Sequence, residues 1–163
     1  MTKGEIVPES AVRFIRVLNG SPQKVWAFLT ESARLPEWYG DGAIEPRQGG
    51  GVTLMGGHIR GVVTGWRPEK FLAYTWSVFQ PGEEVSAWPI SYVEFALEGA
   101  GEATTLTLTH RPIPEPMHRL TMLGWHTMLD MIAAGLMGKF PPRTDVMPKS
   151  AAVYGVDLNA LKR

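Results

Sequence analysis

Residues Pro116–Met137 carry more apolar circumference than one packed surface can cover, and this limits what the chain can fold into. Pro116 suits the first turn of a helix, and Glu115 before it suits the positive end of the helix dipole. Trp125, Leu129, Ile132 and Leu136 fall at i, i+4, i+7 and i+11 and form one apolar stripe. Met117, Gly124, Met128, Met131 and Gly135 form a second stripe beside it. Arg119, His126 and Asp130 share a narrow polar strip. An amphipathic surface helix hides an arc of roughly 100° or a little more, so this one needs cover on two sides. A sheet can supply one side; a cavity, a ligand or a second protomer must supply the other. Methionine and glycine suit a wall that adapts to a ligand, because the thioether is flexible and glycine leaves room. Gly135 is placed on that wall, as a position where a leucine would block the pocket.

The rest of the chain reads as mostly strands. Val12–Leu18 is apolar and β-branched. Ser21 and Pro22 cap and open a short helix through Val25, Trp26 and Leu29, and a second short helix around Ser32–Trp38 meets Pro36. Strands follow at Val52–Met55, His58–Arg67, Phe71–Val78, Trp88–Leu97 and Ala103–His110, with Gly56-Gly57 as a hairpin signal. Gly61 and Gly65 inside one strand predict a bulged, curved sheet. Leu106, Leu108 and His110 alternate with threonines, the pattern of a sheet with one wet face. Strands and helices are segregated, so the fold class is α+β: a curved antiparallel sheet wrapped around one long helix, with two short helices after the first strand. The division is an N-terminal arm over 1–11, a domain over 12–140 and a C-terminal extension over 141–163. The extension is weakly periodic, with Asp157 expected to cap a final turn holding Leu158 and Leu161.

Composition removes several function classes. There is no cysteine, which excludes disulfides, thiol chemistry and cysteine-bound metal. The formal net charge is zero and no basic run is interleaved with aromatics, so no nucleic-acid partner is expected. No apolar run approaches the roughly 20 residues that span a bilayer. The first ten residues lack the apolar core of a signal peptide. A cytoplasmic protein with no membrane partner is the expectation.

His58, His110, His118 and His126 show no metal-ligand spacing, and His118 and His126 stand about 80° apart around the helix; no metal and no cofactor are expected. His126 and Asp130 read as a solvated i, i+4 pair. Glu94 opposes Val93 and Phe95 and points to solvent, and Glu83-Glu84 sits in a loop, so neither makes a convincing carboxylate pair for acid–base work. The aromatics Trp38, Tyr74, Trp76, Trp88 and Trp125 can line a pocket, while Trp26 fills core.

Taken in order, RVLNGSPQKVWAFLT, LPEWYG, the Gly49–Gly51 turn, GVVTGWRPEKFLAYTW, VEFALEG, TTLTLTH and GWHTMLDMI resemble the START-like, or SRPBCC, helix-grip superfamily. Within it the chain is similar to the branch named after activators of the ninety-kilodalton heat-shock protein's ATPase. The match covers about residues 12–137. The resemblance implies a helix-grip fold with an apolar cavity between sheet and long helix. It carries no catalytic residue, because the superfamily includes carriers, cyclases and co-chaperones with no shared catalytic motif. The expected function is binding of a small apolar or aromatic molecule without a chemical step. Trp38, Leu72, Tyr74, Trp76, His110, Trp125, Met128 and Met131 are the expected ligand-binding residues. Two alternatives stay open: a cyclase or hydrolase working in the same cavity through His110, and a co-chaperone-like interaction module. A homodimer formed through the spare helix face or the tail is a further possible partner arrangement.

Overall fold

Alternation of apolar and polar residues along the strands builds one continuous antiparallel sheet. In a computed structural model, which describes residues 10–80, 82–86 and 89–161, β1 (Val12–Leu18), β2 (Ala43–Ile44), β3 (Gly51–Leu54), β4 (Ile59–Arg67), β5 (Phe71–Val78), β6 (Ser91–Ala100) and β7 (Ala103–Arg111) stand in the order β1-β7-β6-β5-β4-β3-β2. The expected N-terminal arm lies almost wholly outside the described residues. At its end, the Ser10 carbonyl accepts from the Ile113 backbone N–H at 2.9 Å.

Register places each apolar set on the concave face. Val93 opposes His110 and Tyr74, and Phe95 opposes Leu108 and Leu72. All six are buried. The register between β4 and β5 shifts between Val63 and Gly65. A Cβ at Gly61 would collide with the Thr75 carbonyl oxygen, and one at Gly65 would press into the Phe71 ring at 2.6 Å. The two glycines thus let β5 lie close against a bulged β4, which bends the sheet.

The helix α1 (Pro22–Thr30) begins as its sequence dictates, with the Ser21 hydroxyl accepting from the Lys24 N–H at 3.2 Å and Pro22 in the first turn. The second short helix shrinks to a 3₁₀ turn, Leu35–Glu37. The glycine pair at 56–57 serves a turn that starts at Met55 rather than a two-residue hairpin, with both glycines at positive φ. The two-residue β2 has too little pattern to be read from sequence.

The long helix α2 (His118–Leu136) crosses the concave face, led in by a 3₁₀ turn at Glu115–Met117. Trp125, Met128, Leu129, Met131 and Ile132 are all buried, so both stripes are covered over the middle of the helix. Part of that cover comes from the tail. A third helix, α3 (Arg143–Tyr154), packs on α2 and contains Pro148. The His126–Asp130 pair is accordingly only part-solvated, because β1 and α3 also bond to it. Arg16 of β1 donates to Asp130 at 2.6 Å, His126 Nε2 lies 3.5 Å from Asp130, and His126 Nδ1 meets the Tyr154 hydroxyl at 2.8 Å. His126 and Asp130 of the polar strip therefore form the seam that joins β1, α2 and α3, while Arg119 stays exposed. After α3, Asp157 accepts from the Asn159 N–H at 2.9 Å and starts the turn Leu158–Leu161.

Candidate ligand-binding site

The open end of the sheet and the first half of α2 enclose a cavity of about 550 Å³. Strands β4 and β5 supply Ile59, Trp76 and Val78, and β6 and β7 supply Ser91 and His110. Helix α2 contributes Gly124, Trp125 and Met128, and the Pro112–Pro114 link with Met117 forms the rim. The volume falls within the range typical of small-molecule sites, roughly 300–1,000 Å³. Among the described residues no Asp, Glu, Lys or Arg lines it.

A file of hydrogen bonds runs along one wall. The Trp125 indole N–H donates to His110 Nδ1 at 3.0 Å, and His110 Nε2 lies 2.8 Å from Ser91 Oγ. An indole nitrogen can only donate, so Nδ1 carries the lone pair and Nε2 carries the proton. His110 then donates to Ser91, and the Ser91 hydroxyl donates to the Trp76 carbonyl at 3.4 Å. Burial holds the imidazole down to a pKa of about 4, so it is neutral near pH 7. A serine nucleophile needs the opposite polarity, with the imidazole accepting the hydroxyl proton. Despite its 2.8 Å separation, the Ser91–His110 pair is therefore not arranged as an activated nucleophile.

A second imidazole lines the cavity from the turn just before β4. His58 Nδ1 lies 2.8 Å from the Phe79 carbonyl, and the Phe79 N–H donates to the His58 carbonyl at 2.8 Å. A carbonyl can only accept, so Nδ1 carries the proton there. Among the described residues, His58 Nε2 has no hydrogen-bond partner. The other two histidines are engaged elsewhere: His118 Nε2 meets the Ile113 carbonyl at 2.8 Å, and His126 belongs to the polar seam. No group of three His, Asp or Glu side chains among the described residues could hold a metal ion.

Of the eight residues expected at a site, the structure brings Trp76, His110, Trp125 and Met128 together on the cavity wall. Leu72 and Tyr74 lie beneath it in the core, with Tyr74 O–H meeting the Tyr39 hydroxyl at 3.4 Å. Trp38 ties its turn to α1, donating to the Phe28 carbonyl at 2.7 Å. Met131 faces a separate hollow of about 750 Å³ shared with Tyr39, Phe140 and Arg143. Trp88 lies outside the described residues. Gly135 is not a cavity position, because a Cβ there would strike the Phe28 ring at 2.7 Å. Gly124 is the glycine that opens on the cavity, and a Cβ there would meet nothing within 4 Å. Sequence reasoning missed His58 and Ser91 as wall residues. Ser91 had a signal, since it stands in phase with Val93, Phe95 and Leu97; His58 had none, since it ends a turn.

A curved sheet gripping one long helix over an apolar hollow defines a helix-grip domain, a fold of ligand-binding type. The chain belongs to the Activator of Hsp90 ATPase homolog 1-like protein family, whose model matches residues 19–136. No curated protein matches it. Among solved structures it is similar to CalU16 from Micromonospora echinospora, with 21% identity over 89% of this chain and 85% of that one, at a TM-score of 0.70. It is similar to DynU16, a protein in the dynemicin biosynthetic locus, at 24% identity and a TM-score of 0.69; the match covers 82% of this chain but only 49% of that one. The protein encoded by gene BPP1335 of Bordetella parapertussis matches at 23% identity over 94% of this chain and 88% of that one, with a TM-score of 0.67. These likenesses concern the fold. No helix among the described residues is long and apolar enough to cross a membrane.

Proposed function

We propose that the protein binds a small apolar or aromatic molecule in the cavity between the sheet and α2, and holds it without a chemical step. The observation that carries this reading is the character of the wall. About 550 Å³ is enclosed by Trp76, Trp125, Met128 and aliphatic side chains, with no charged residue among the described lining. The Trp125–His110–Ser91 file supports binding over turnover, because its donors and acceptors are spent on one another and its polarity is wrong for a serine nucleophile. Buried, satisfied polar groups of this kind stiffen a pocket wall.

The test is native mass spectrometry of the purified protein beside Gly124→Phe, which fills the hollow from a backbone position with free space. A small-molecule adduct in the parent protein that is absent from the variant is the expected result. An adduct retained in full by the filled variant would move the binding site elsewhere on the molecule.

A further inference from the structure

We infer that the cavity selects an uncharged ligand that presents a hydroxyl group on a flat ring, and that His58 is the residue that reads that hydroxyl. This rests on the binding reading above and narrows it to a chemical class.

Charge is excluded by the lining. A carboxylate or an ammonium group taken into this hollow would meet no opposite charge among the described wall residues, and an unpaired buried charge is strongly disfavoured. The most deeply buried polar groups on the wall also cannot recognise a ligand cheaply. His110 and Ser91 are satisfied within the file from Trp125 to the Trp76 carbonyl, and diverting either would strand a buried partner.

His58 differs from them. The residue is half-buried and lines the cavity; its ring is held by the bond from Nδ1 to the Phe79 carbonyl and its backbone by the Phe79 N–H. The Nδ1 bond places a proton on that nitrogen, and in the neutral imidazole Nε2 is then a bare acceptor with no partner among the described residues. A bare acceptor asks for a donor, and a donor that must also be uncharged is met by an alcohol or a phenol. The remaining polar side chains of the wall are Ser10 and Thr121, hydroxyls that both donate and accept, and Trp76, whose indole N–H can only donate; none of the three is a bare acceptor. The flat ring follows from Trp76 and Trp125, whose centroids stand 5.5 Å apart at 51° on the same wall and offer aromatic surface to an aromatic guest.

The experiment is calorimetric titration near neutral pH with three probes on one ring system: naphthol, its methyl ether and naphthoate. The parent protein is compared with His58→Leu and His58→Gln, each checked for folding by circular dichroism. Naphthol should bind about tenfold more tightly than the ether, the value of one neutral hydrogen bond, with naphthoate weakest. His58→Leu should remove that preference while leaving the ether's affinity in place, and His58→Gln, which keeps an acceptor, should restore part of it. Equal binding of naphthol and ether by the parent, a preference that survives His58→Leu, or tightest binding of naphthoate would each overturn the inference while leaving cavity binding intact. Failure of all three probes to bind the parent would also overturn this inference, while the binding reading stands or falls on the adduct comparison with Gly124→Phe.

Discussion

The indole nitrogen of Trp125 stands 3.0 Å from Nδ1 of His110, and that contact decides which way the proton on the imidazole points. It joins the long helix to the last strand of the sheet across the wall of the cavity. It also makes His110 a donor toward Ser91, which separates this arrangement from the nucleophilic pair it resembles in distance alone.

An unfolded histidine titrates near 6.5, whereas burial lowers folded His110 to about 4. Protonation therefore favours the unfolded chain. The neutral ring's contribution is complete above the unfolded pKa and is lost as the pH falls through that value toward the folded one. The loss should reach about 3 kcal/mol near pH 4. Urea unfolding at pH 7 and pH 4 should show a steeper loss for the parent protein than for His110→Gln. Equal losses would refute the shift, and nitrogen-detected NMR should find the proton on Nε2.

Two glycines on one stripe of α2 should respond in opposite ways. Gly124→Ala places a methyl group in open space and improves helix propensity, so it should stabilise the protein by about 0.5–1 kcal/mol. Gly135→Ala drives a methyl group against the Phe28 ring at 2.7 Å, and overpacking of this kind costs roughly 1–3 kcal/mol. Thermal melts of the two variants check this, and a stabilised Gly135→Ala would contradict the packing described.

Thr127 and Ser150, on the paired helices α2 and α3, are both fully buried, and neither hydroxyl has a hydrogen-bond partner among the described residues. A buried hydroxyl without a partner is destabilising relative to an apolar group of the same shape. Thr127→Val and Ser150→Ala should each leave stability unchanged or raise it by up to ~1 kcal/mol, measured by chemical denaturation. A large loss would show that these hydroxyls have partners after all.

The seam between α2 and α3 includes one tyrosine hydroxyl. Tyr154→Phe removes the hydroxyl that meets His126 at 2.8 Å and should weaken the docking of α3 by about 1 kcal/mol. Hydrogen exchange should then quicken along Arg143–Tyr154 while the amides of β5–β7 keep their protection. Uniform acceleration across the whole domain would mean that α3 does not open on its own.

Much of this architecture could be read from residue order. The alternation of Leu106, Leu108 and His110 assigned the inward face of β7, and the two stripes of α2 called for cover on both sides. Ser21-Pro22 marked the start of α1. The helix α3 stayed hidden because Pro148 sits in its interior and its polar and apolar residues share no common side. It is held by contacts with α2 that no local pattern announces.

The limit shows most clearly on α2 itself. Periodicity reports the angle at which a side chain leaves a helix, but not the depth at which it lands. Gly124 and Gly135 share a stripe, yet they lie about 16 Å apart along the axis, one over the cavity and the other against Phe28. Met128 and Met131 likewise leave on one side and reach different hollows. Local chemistry determined which residues turn inward. Whether an inward residue meets neighbours or empty space depended on how far α2 slides along the curved sheet, and that position is set by packing between segments distant in the chain.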